Sequence, residues 1–434
     1  MNIGLISPKR GQLIENKEFD EFFWSSYELS TRAEIIYRWP ELGLLTLASL
    51  MPKEYNIRYI DDAIEHIDYD EPFDIVGITA LTPKAHRAYE IAQEFRARGV
   101  CVIMGGPHAS VMVEETLQHV DVVFIGEAQN SWGAFIDDYL SDKVKRTYGT
   151  LNNLARMEDS PIPRYDLLNV ENYRIIPIET TRGCPHDCEF CSSTRLWGNK
   201  YRKKSLKQVL DEIAVIKKVA PRKYLFFVDD NMFVDREYSS ALLESIIPFN
   251  VRWFTQTDIS IADDDSFLDL MYRAGCREVL IGFETLSPQN MQMVDNKNWK
   301  LKQLGKYGWA IQKIQSHGIA IYGSFILGMD HDDETVFPTL RDFIVKTNLL
   351  GFQILIMTPI PGTRLYQRLS NEDRLLTGKN WGNYSTYQLN FKLKQMSQET
   401  FEKGIIWLFK ELYNDNEFKR RRNHHIKLIR SLSN

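Results

Sequence analysis

The sequence predicts an α/β protein: an N-terminal doubly wound parallel sheet of Rossmann-like type, a partial (βα)6 barrel, and then a mostly helical C-terminal region. Three observations predict this order. Short apolar, β-rich runs alternate with amphipathic segments of helix length up to residue 140, and a second alternating series starts at residue 175. The length of 434 residues also exceeds what one hydrophobic core usually serves, so several domains are expected.

Composition and charge exclude several classes of protein. Hydrophobic residues make up 44% and charged residues 26% of the chain, which excludes general disorder and a fibrous chain. The net charge of −5 argues against a whole-protein electrostatic grip on nucleic acid. The first residues lack the pattern of a secretory signal, and no apolar run is long enough to span a membrane. A cytoplasmic protein is therefore expected.

The first predicted domain covers residues 1–142. Five runs there have the character of strands, IGLIS, IRYID, DIVGIT, CVIMGG and DVVFIGE. A doubly wound parallel sheet binds its ligand beyond the carboxyl ends of its strands, at the switch point. Glycine at these ends lets a bulky ligand approach the backbone closely. The candidate binding residues at these ends are Thr79, Leu81, Thr82, Pro83, Gly105, Gly106, Pro107, Gly126 and Glu127.

A connecting segment is predicted at 143–174, where prolines and charges are scattered without a sustained period. The partial barrel is predicted at 175–365, with strands at 175–181, 224–230, 252–257, 278–284, 319–328 and 352–359. Ser205 and Gln208 form a capping box that opens one of its helices, whose face continues through Leu206, Leu210, Ile213 and Lys217. Chemistry is expected at the carboxyl ends of the barrel strands.

The predicted C-terminal region, 366–434, closes with the basic segment FKRRRNHHIKLIRSLSN. A solvated helix or frayed tail is the plainer interpretation of this segment. The alternative is peripheral membrane contact, in which the basic residues attract anionic lipid headgroups.

Three of the five cysteines, Cys184, Cys188 and Cys191, crowd into eight positions directly after a predicted strand. In a reducing compartment such crowding indicates metal or cluster chemistry rather than disulfides. Three thiolates at this spacing are able to hold three irons of a four-iron cluster and leave the fourth iron open. A structural zinc site is the alternative, because His186 lies between the cysteines and zinc normally takes four ligands.

The Cys-x-x-x-Cys-x-x-Cys loop, with Phe190 before the last cysteine and a six-strand βα series around it, resembles the radical S-adenosylmethionine (radical SAM) superfamily. The resemblance implies a [4Fe-4S] cluster whose open iron is chelated by the amino and carboxylate groups of SAM. It also implies that an electron from the cluster cleaves SAM to give a 5′-deoxyadenosyl radical, which abstracts hydrogen from an unactivated carbon.

Strand ends of the predicted barrel are matched to that family one by one. Asp230, at the end of the second barrel strand, is the candidate for receiving the SAM amino group through a charge-assisted hydrogen bond. Gln256 and Glu284 end the third and fourth strands and resemble groups that hold the SAM ribose or carboxylate. Phe325, in the fifth strand, belongs to an apolar run resembling the one that packs against adenine.

The segments 40–45, 105–108 and 124–127 resemble the cobalamin-binding domain that precedes the barrel in one radical SAM class. Within that class, the segments 160–168, 228–231 and 371–376 are most similar to the subgroup of the hopanoid C-2 and C-3 methylases. Free-standing cobalamin proteins coordinate cobalt through a histidine in the loop after the first strand, but residues 8–12 read Pro-Lys-Arg-Gly-Gln here. Cobalamin would therefore bind without that ligand. A Rossmann-like domain that binds nothing is the alternative.

The resemblance implies a cobalamin-dependent radical SAM methyltransferase that acts on an unactivated carbon of a small, hydrophobic molecule. One SAM would methylate the cobalamin and a second would supply the radical, with electrons from a flavodoxin or ferredoxin. One alternative keeps the cofactors but performs a cyclisation, ring rearrangement or oxidation. Another is a zinc-binding scaffold or sensor. Nucleic-acid modification is disfavoured, because no appended RNA-binding domain is found.

Overall fold

The structure is a computed structural model that describes residues 1–295, 297–376 and 380–432. Two six-stranded sheets, each wholly parallel, dominate these residues, and they confirm the predicted α/β fold class. The strands are β1 Asn2–Ser7, β2 Asn56–Asp61, β3 Ile75–Thr79, β4 Cys101–Gly105, β5 Val122–Phe124, β6 Thr147–Tyr148, β7 Ile175–Ile178, β8 Thr181–Arg182, β9 Arg202–Lys203, β10 Tyr224–Phe227, β11 Trp253–Thr257, β12 Cys276–Glu284, β13 Ala320–Leu327 and β14 Gly351–Ile356.

Helices cover the faces of both sheets, because the connections between parallel strands place their helices there. They are α1 Lys17–Ser25, α2 Tyr27–Tyr37, α3 Leu42–Ser49, α4 Ala85–Ala97, α5 Gly106–Val111, α6 Val113–Thr116, α7 Trp132–Leu140, α8 Ser193–Trp197, α9 Leu206–Val219, α10 Arg236–Ile246, α11 Asp265–Arg273, α12 Pro288–Val294, α13 Trp299–Gln303, α14 Tyr307–Ser316, α15 Val336–Thr347, α16 Arg364–Asn371, α17 Gln398–Leu412 and α18 Asp415–Leu432.

The first sheet has the strand order β2-β1-β3-β4-β5-β6, so its switch point lies between β1 and β3. All five predicted strands are present. The sixth, β6, lies in the predicted connecting segment and pairs Thr147 with Val123 and Tyr148 with Phe124. A strand of two residues has no period from which sequence could reveal it. The first sheet thus extends beyond the predicted domain limit at residue 142.

The second sheet has the order β7-β10-β11-β12-β13-β14 and contains all six predicted barrel strands. An additional antiparallel hairpin, β8 with β9, follows its first strand. The predicted capping box at Ser205 is present at the start of α9. Of the predicted face, Ile213 is buried and Leu206 and Leu210 pack partly buried against the core, whereas Lys217 is exposed. The fully buried positions of the helix also include Val209, Glu212 and Ile216.

The amino end of the barrel is filled by side chains from the segment that follows β1. The ring of Trp39 packs on Phe226 at 4.7 Å between centroids. The Arg32 guanidinium lies 4.3 Å from the ring centre of Tyr322 and pairs with both oxygens of Glu278. A barrel interior has to be packed, and here the first 40 residues of the chain supply part of the packing.

The C-terminal region contains the helices α16, α17 and α18. Arg421 on α18 is wholly buried and binds both carboxylate oxygens of Glu28, at 3.0 and 2.7 Å. Residues 433 and 434, the end of the predicted basic segment, lie outside the described residues. Among the described residues, no helix combines the length and the apolar character needed to span a bilayer.

The buried ion pair between α18 and α2 generates a stability prediction. Arg421→Met leaves the Glu28 carboxylate buried without its partner, which costs about 3–5 kcal/mol of unfolding free energy. Chemical denaturation of the full chain measures this loss. The matched control is Arg422→Met, the exposed neighbour, which should change stability by no more than about 0.5 kcal/mol. Equal stability of the two variants would contradict an anchoring role for Arg421.

Candidate functional site

The three crowded cysteines lie in the loop between β8 and α8, and all three line one cavity of about 380 Å³ at the carboxyl ends of the barrel strands. None of them is in a disulfide. Gly183, which opens the loop, has a φ of +96°, and a Cβ there would lie 2.5 Å from the Lys200 carbonyl oxygen. Only glycine fits this position without strain. We call this space the cluster cavity.

The cysteine loop is held from outside by the end of α12 and the start of α16. The amide of Glu189 donates to the Val294 carbonyl at 3.0 Å, and the Leu365 amide donates to the Glu189 carbonyl at 3.1 Å. The Glu189 side chain accepts hydrogen bonds from Arg368. The loop therefore has backbone and side-chain anchors that do not involve its thiols.

Burial raises the pKa of the Cys184 and Cys188 thiols to about 12. The ammonium group of Lys300 opposes this rise at both cysteines. Lys300 is itself buried, pairs with the Glu284 carboxylate and donates to the Gly282 carbonyl at 3.2 Å. The sequence analysis did not identify Lys300, and no motif marks it.

The zinc alternative finds no support in the arrangement. His186 turns its Nε2 atom to the Asp258 carboxylate at 3.1 Å. In the described ranges, no three histidine, cysteine or acidic side chains lie close enough to share one metal ion. A four-iron cluster needs no such convergence, because each thiolate binds a different iron. The donor set of three thiols around one cavity fits a cluster of this kind.

Two successive aspartates end β10. Asp229 is fully buried and accepts hydrogen bonds from the Thr180 amide, the Thr180 hydroxyl and the Thr181 amide, while burial raises its pKa to about 7. Asp230 accepts a hydrogen bond from the Gly183 amide at 3.2 Å, and burial raises its pKa as well. Asp230 is thus fixed against the residue that precedes Cys184.

The other predicted SAM contacts fall in different places. Gln256 and Glu284 line the cluster cavity together with the three cysteines. Phe325 does not, because alternate residues of a strand point to opposite faces. Its ring is buried and stacks on Phe283 at 5.4 Å, whereas its neighbours Ser324 and Ile326 line the cluster cavity.

A second cavity, of about 340 Å³, lies between the carboxyl ends of the two sheets, and we call it the sheet-end cavity. Seven of the nine residues predicted for the first domain line it, namely Thr79, Leu81, Gly105, Gly106, Pro107, Gly126 and Glu127. Thr82 and Pro83 do not. Thr82 is buried behind the cavity, with its hydroxyl 3.3 Å from Nδ1 of His108. Asp230 lines both cavities.

The glycines of the sheet-end cavity are required by the backbone more than by the approach of a ligand. Gly106 has a φ of +87°, and a Cβ there would lie 2.3 Å from the Thr79 hydroxyl. Gly126 has a φ of +74°, and its Cβ would lie 2.8 Å from the Thr150 carbonyl oxygen. Gly105 has ordinary contacts at this position. Leu81 projects from the same edge with 47% of its surface exposed.

The Glu127 carboxylate is engaged by the second domain. It pairs with Arg182 at 2.9 Å and with Arg202 at 2.6 Å, and it accepts the Ala155 amide at 2.8 Å. Arg182 also pairs with Glu179 at 2.6 Å. Sequence reasoning predicted Glu127 as a cofactor contact but missed both arginines, although Arg182 stands two residues before Cys184. We call this group the Glu127 network.

Comparison with known families agrees with this geometry. The profile of the radical SAM superfamily matches residues 178–344, and that of the B12 binding domain matches residues 30–136. A domain of unknown function, DUF4070, matches residues 363–434. The radical SAM match implies a [4Fe-4S] cluster and SAM, and the B12 match implies cobalamin. These are the three cofactors that the sequence predicts.

The fold is also that of solved structures. The radical SAM methyltransferase TsrM from Kitasatospora setae, solved with cobalamin and a [4Fe-4S] cluster, superposes with a TM-score of 0.65 at 15% identity, over 86% of this chain and 78% of its own. The cobalamin-dependent SAM radical enzyme OxsB, solved with aqua-cobalamin, gives 0.69 at 14% identity, over 98% and 71%.

Two relatives with assigned activities are a methyltransferase and a methylase. The bacteriochlorophyllide d C-12(1)-methyltransferase of Chlorobaculum tepidum is 30% identical over 88% of this chain and 84% of its own length. The hopanoid C-2 methylase of Rhodopseudomonas palustris is 25% identical over 79% and 66%. Because the bacteriochlorophyllide methyltransferase is 30% identical over more than four fifths of both chains, the chain belongs to the cobalamin-dependent radical SAM methyltransferase family.

Proposed function

We propose that the chain methylates an unactivated carbon of a hydrophobic small molecule, which binds between the cluster cavity and the sheet-end cavity. One observation carries the proposal: the two cavities share Asp230 as a common wall. A substrate beside Asp230 would lie within reach of the cofactors held in the cluster cavity and in the sheet-end cavity. Holding reactants in a fixed geometry is a large part of enzymatic rate enhancement.

The lining of the cluster cavity supports a hydrophobic substrate. Beside its polar groups, the cavity is lined by a set of apolar side chains, Phe190, Leu280, Ile326, Leu355, Ile356, Met357 and Ile360. Binding pockets for small molecules are usually apolar, with a few polar groups that fix orientation. Two relatives act, by their names, on bacteriochlorophyllide d and on hopanoids, both of which are largely apolar.

The following roles are part of the proposal. Cys184, Cys188 and Cys191 hold the [4Fe-4S] cluster, and Asp230 accepts the amino group of SAM, with Gln256 and Glu284 beside it in the same cavity. When bound, the cofactors supply a carbon-centred radical and a transferable methyl group. The chain orients them, keeps water from the apolar wall and holds Asp230 against the Gly183 amide. Phe325 is left out, because its ring faces away from the cluster cavity.

We assign cobalamin to the sheet-end cavity, where the exposed Leu81 and the backbone of Gly105 are among the residues that would hold it. No histidine among the described residues lines this cavity, in keeping with the missing histidine in the loop after β1. His108, the histidine in the adjoining helix, is buried and 2.9 Å from the Tyr89 hydroxyl. We therefore propose that the cobalt has no protein histidine ligand.

The non-methylating alternative is not favoured. A radical cyclisation, rearrangement or oxidation would use the same two cavities, so geometry alone does not separate the reactions. The assigned relatives with long matches are methyltransferases by name, and this supports methyl transfer over the alternative.

Two partners complete the proposal. A flavodoxin or ferredoxin supplies electrons to the cluster. The exposed side chains Lys419, Arg422, Lys427 and Arg430 lie along one face of α18, and no ion pair with a described residue engages them. Such a face suits the attraction of anionic headgroups, which would bring the enzyme to a membrane-dissolved substrate.

The cluster assignment predicts a defined loss of iron. Wild-type chain purified without oxygen should contain about four irons, and Cys184→Ala, Cys188→Ala and Cys191→Ala should each lose most of this iron and the absorption of the cluster. Iron and sulfide analysis measures it. Cys276→Ala, a buried cysteine outside the cavity, is the control and should keep the wild-type iron content. Loss of iron in the control alone would sink the assignment.

The cobalamin assignment predicts a specific effect at Leu81. Leu81→Glu places a charge where an apolar face is expected and should weaken hydroxocobalamin binding about 10-fold or more, which corresponds to about 1.4 kcal/mol. Equilibrium dialysis followed by absorption measures the affinity. Leu140→Glu is the matched control, because Leu140 is 64% exposed in the same domain but does not line the cavity. Equal affinities in the two variants would speak against the assignment.

The substrate class is tested with probes taken from the relatives. Holoenzyme, SAM and a reductant are incubated separately with bacteriochlorophyllide d, a hopanoid and the polar amino acid tryptophan. Mass spectrometry should find the gain of one methylene group on a hydrophobic probe and none on tryptophan. Methylation of tryptophan alone would contradict the hydrophobic assignment, and conversion without added mass would favour the non-methylating alternative.

A further inference from the structure

Residues 380–388, between α16 and α17, form a segment that belongs to neither sheet, and we call it the strap. Side chains from its first half pack into the core of the first domain, although the strap and that domain are far apart in the sequence. Trp381 and Tyr384 are fully buried in the same core as α4, β3 and β4. A fully buried tryptophan from the C-terminal region therefore completes the packing of the domain assigned to cobalamin.

Polar contacts fix the position of Trp381. Its indole Nε1 donates to the Glu115 carboxylate at 2.5 Å, and its backbone amide donates to Nε2 of His86 at 3.1 Å. Its ring meets that of His108 edge-on at 5.3 Å. His108 follows Pro107, which lines the sheet-end cavity. Trp381 is thus packed against the helix whose first residues form a wall of that cavity.

The second half of the strap forms part of the cluster cavity. Thr386 lines this cavity, and its carbonyl accepts the Ile356 amide at 2.8 Å, at the end of β14. Its φ of +71° is uncommon for a β-branched residue, so the surrounding contacts determine it. The neighbouring Ser385 hydroxyl donates to the Leu13 carbonyl at 2.7 Å.

The strap consequently runs from the wall of one cavity to the wall of the other. The five residue steps from Trp381 to Thr386 reach at most roughly 18 Å when fully extended. Trp381 is buried, Thr386 is partly buried, and both are hydrogen-bonded, so the strap limits how far the two walls separate. A misplacement of roughly 1 Å at a reaction centre is able to reduce a rate about 100-fold.

We propose that the strap sets the distance between the two cavities and that Trp381 is a positioning residue for methyl transfer between them. The inference rests on the proposed assignment of cobalamin to the sheet-end cavity and of the cluster to the other. It does not depend on the identity of the substrate, because transfer of a methyl group from SAM to bound cobalamin already requires both cavities.

The test uses the full-length holoenzyme with SAM, hydroxocobalamin and a reductant, and without substrate. Formation of S-adenosylhomocysteine reports methyl transfer to cobalamin, and formation of 5′-deoxyadenosine reports the cluster cavity alone. In Trp381→Ala the rate of S-adenosylhomocysteine formation should fall about 10- to 100-fold. The rate of 5′-deoxyadenosine formation should stay within about twofold of wild type. Dipolar EPR between cob(II)alamin and the reduced cluster should give a broader distance distribution.

Two further variants keep the test decisive. Trp381→Phe keeps an aromatic ring but loses the donor to Glu115, and it should shift both readouts in the same direction by a smaller amount. Trp309→Ala removes a tryptophan that is 47% exposed on α14 and should behave as wild type. Wild-type iron and cobalamin contents establish independently whether the cofactor assignments hold.

The proposal is overturned if Trp381→Ala keeps both cofactors, the wild-type distance distribution and the wild-type ratio of the two rates. It is equally overturned if Trp381→Ala loses cobalamin while Trp381→Phe matches wild type in distance and in both rates, because Trp381 would then serve core packing alone. Absence of cobalamin from the wild-type protein would refute the cofactor assignment on which the inference rests.

Discussion

The buried ion pairs of the Glu127 carboxylate with Arg182 and Arg202 are the interactions on which the arrangement of the two cavities depends. Glu127 lies three residues after the end of β5 in the first sheet, and both of its guanidinium partners belong to the second domain. Its side chain is 1% exposed, so loss of either arginine would leave a desolvated charge only partly balanced. Arg182 stands two residues before Cys184, and the network therefore fixes the cysteine loop relative to the cobalamin-binding domain. The shared wall at Asp230 exists because these elements are held together.

A second buried ion pair, between Lys300 and Glu284, determines the charge around the three cysteine thiols. Burial disfavours thiolates, yet cluster ligation requires them, and three carboxylates, those of Asp230, Asp258 and Glu284, line the same cavity. Of the described residues that line this cavity, Lys300 carries its one ammonium group, and Glu284 and the Gly282 carbonyl hold that group in place. A Cβ at residue 282 would lie 2.2 Å from the Glu284 carboxylate, so glycine is needed for the pair to form. A single buried cation thus moderates an otherwise acidic cavity.

Sequence reasoning identified what local patterns encode. The eleven strands it predicted are all present, since each has an apolar run long enough to be recognised, and the cysteine spacing indicated one cavity at the correct edge of the barrel. It failed where a role depends on contacts between distant segments. Arg202, Lys300 and Trp381 carry no motif, and their partners Glu127, Glu284 and Glu115 lie 75, 16 and 266 positions away. Sequence also did not indicate that the Phe325 ring lies outside the cluster cavity, because an apolar run buried on both sides does not reveal which residues point inward.

The packing of Trp39 and Arg32 into the amino end of the barrel has a consequence for separating the two modules. The two modules are usually pictured as units joined end to end, each able to be excised or exchanged. Here the segment after β1, in the first domain, packs into the amino end of the barrel. The strap, which follows the barrel in sequence, packs in turn into the core of the first domain. A fragment that begins at residue 175 would lack Trp39 and Arg32 and would leave Phe226 and Tyr322 without these partners. Each module therefore supplies side chains that complete the packing of the other.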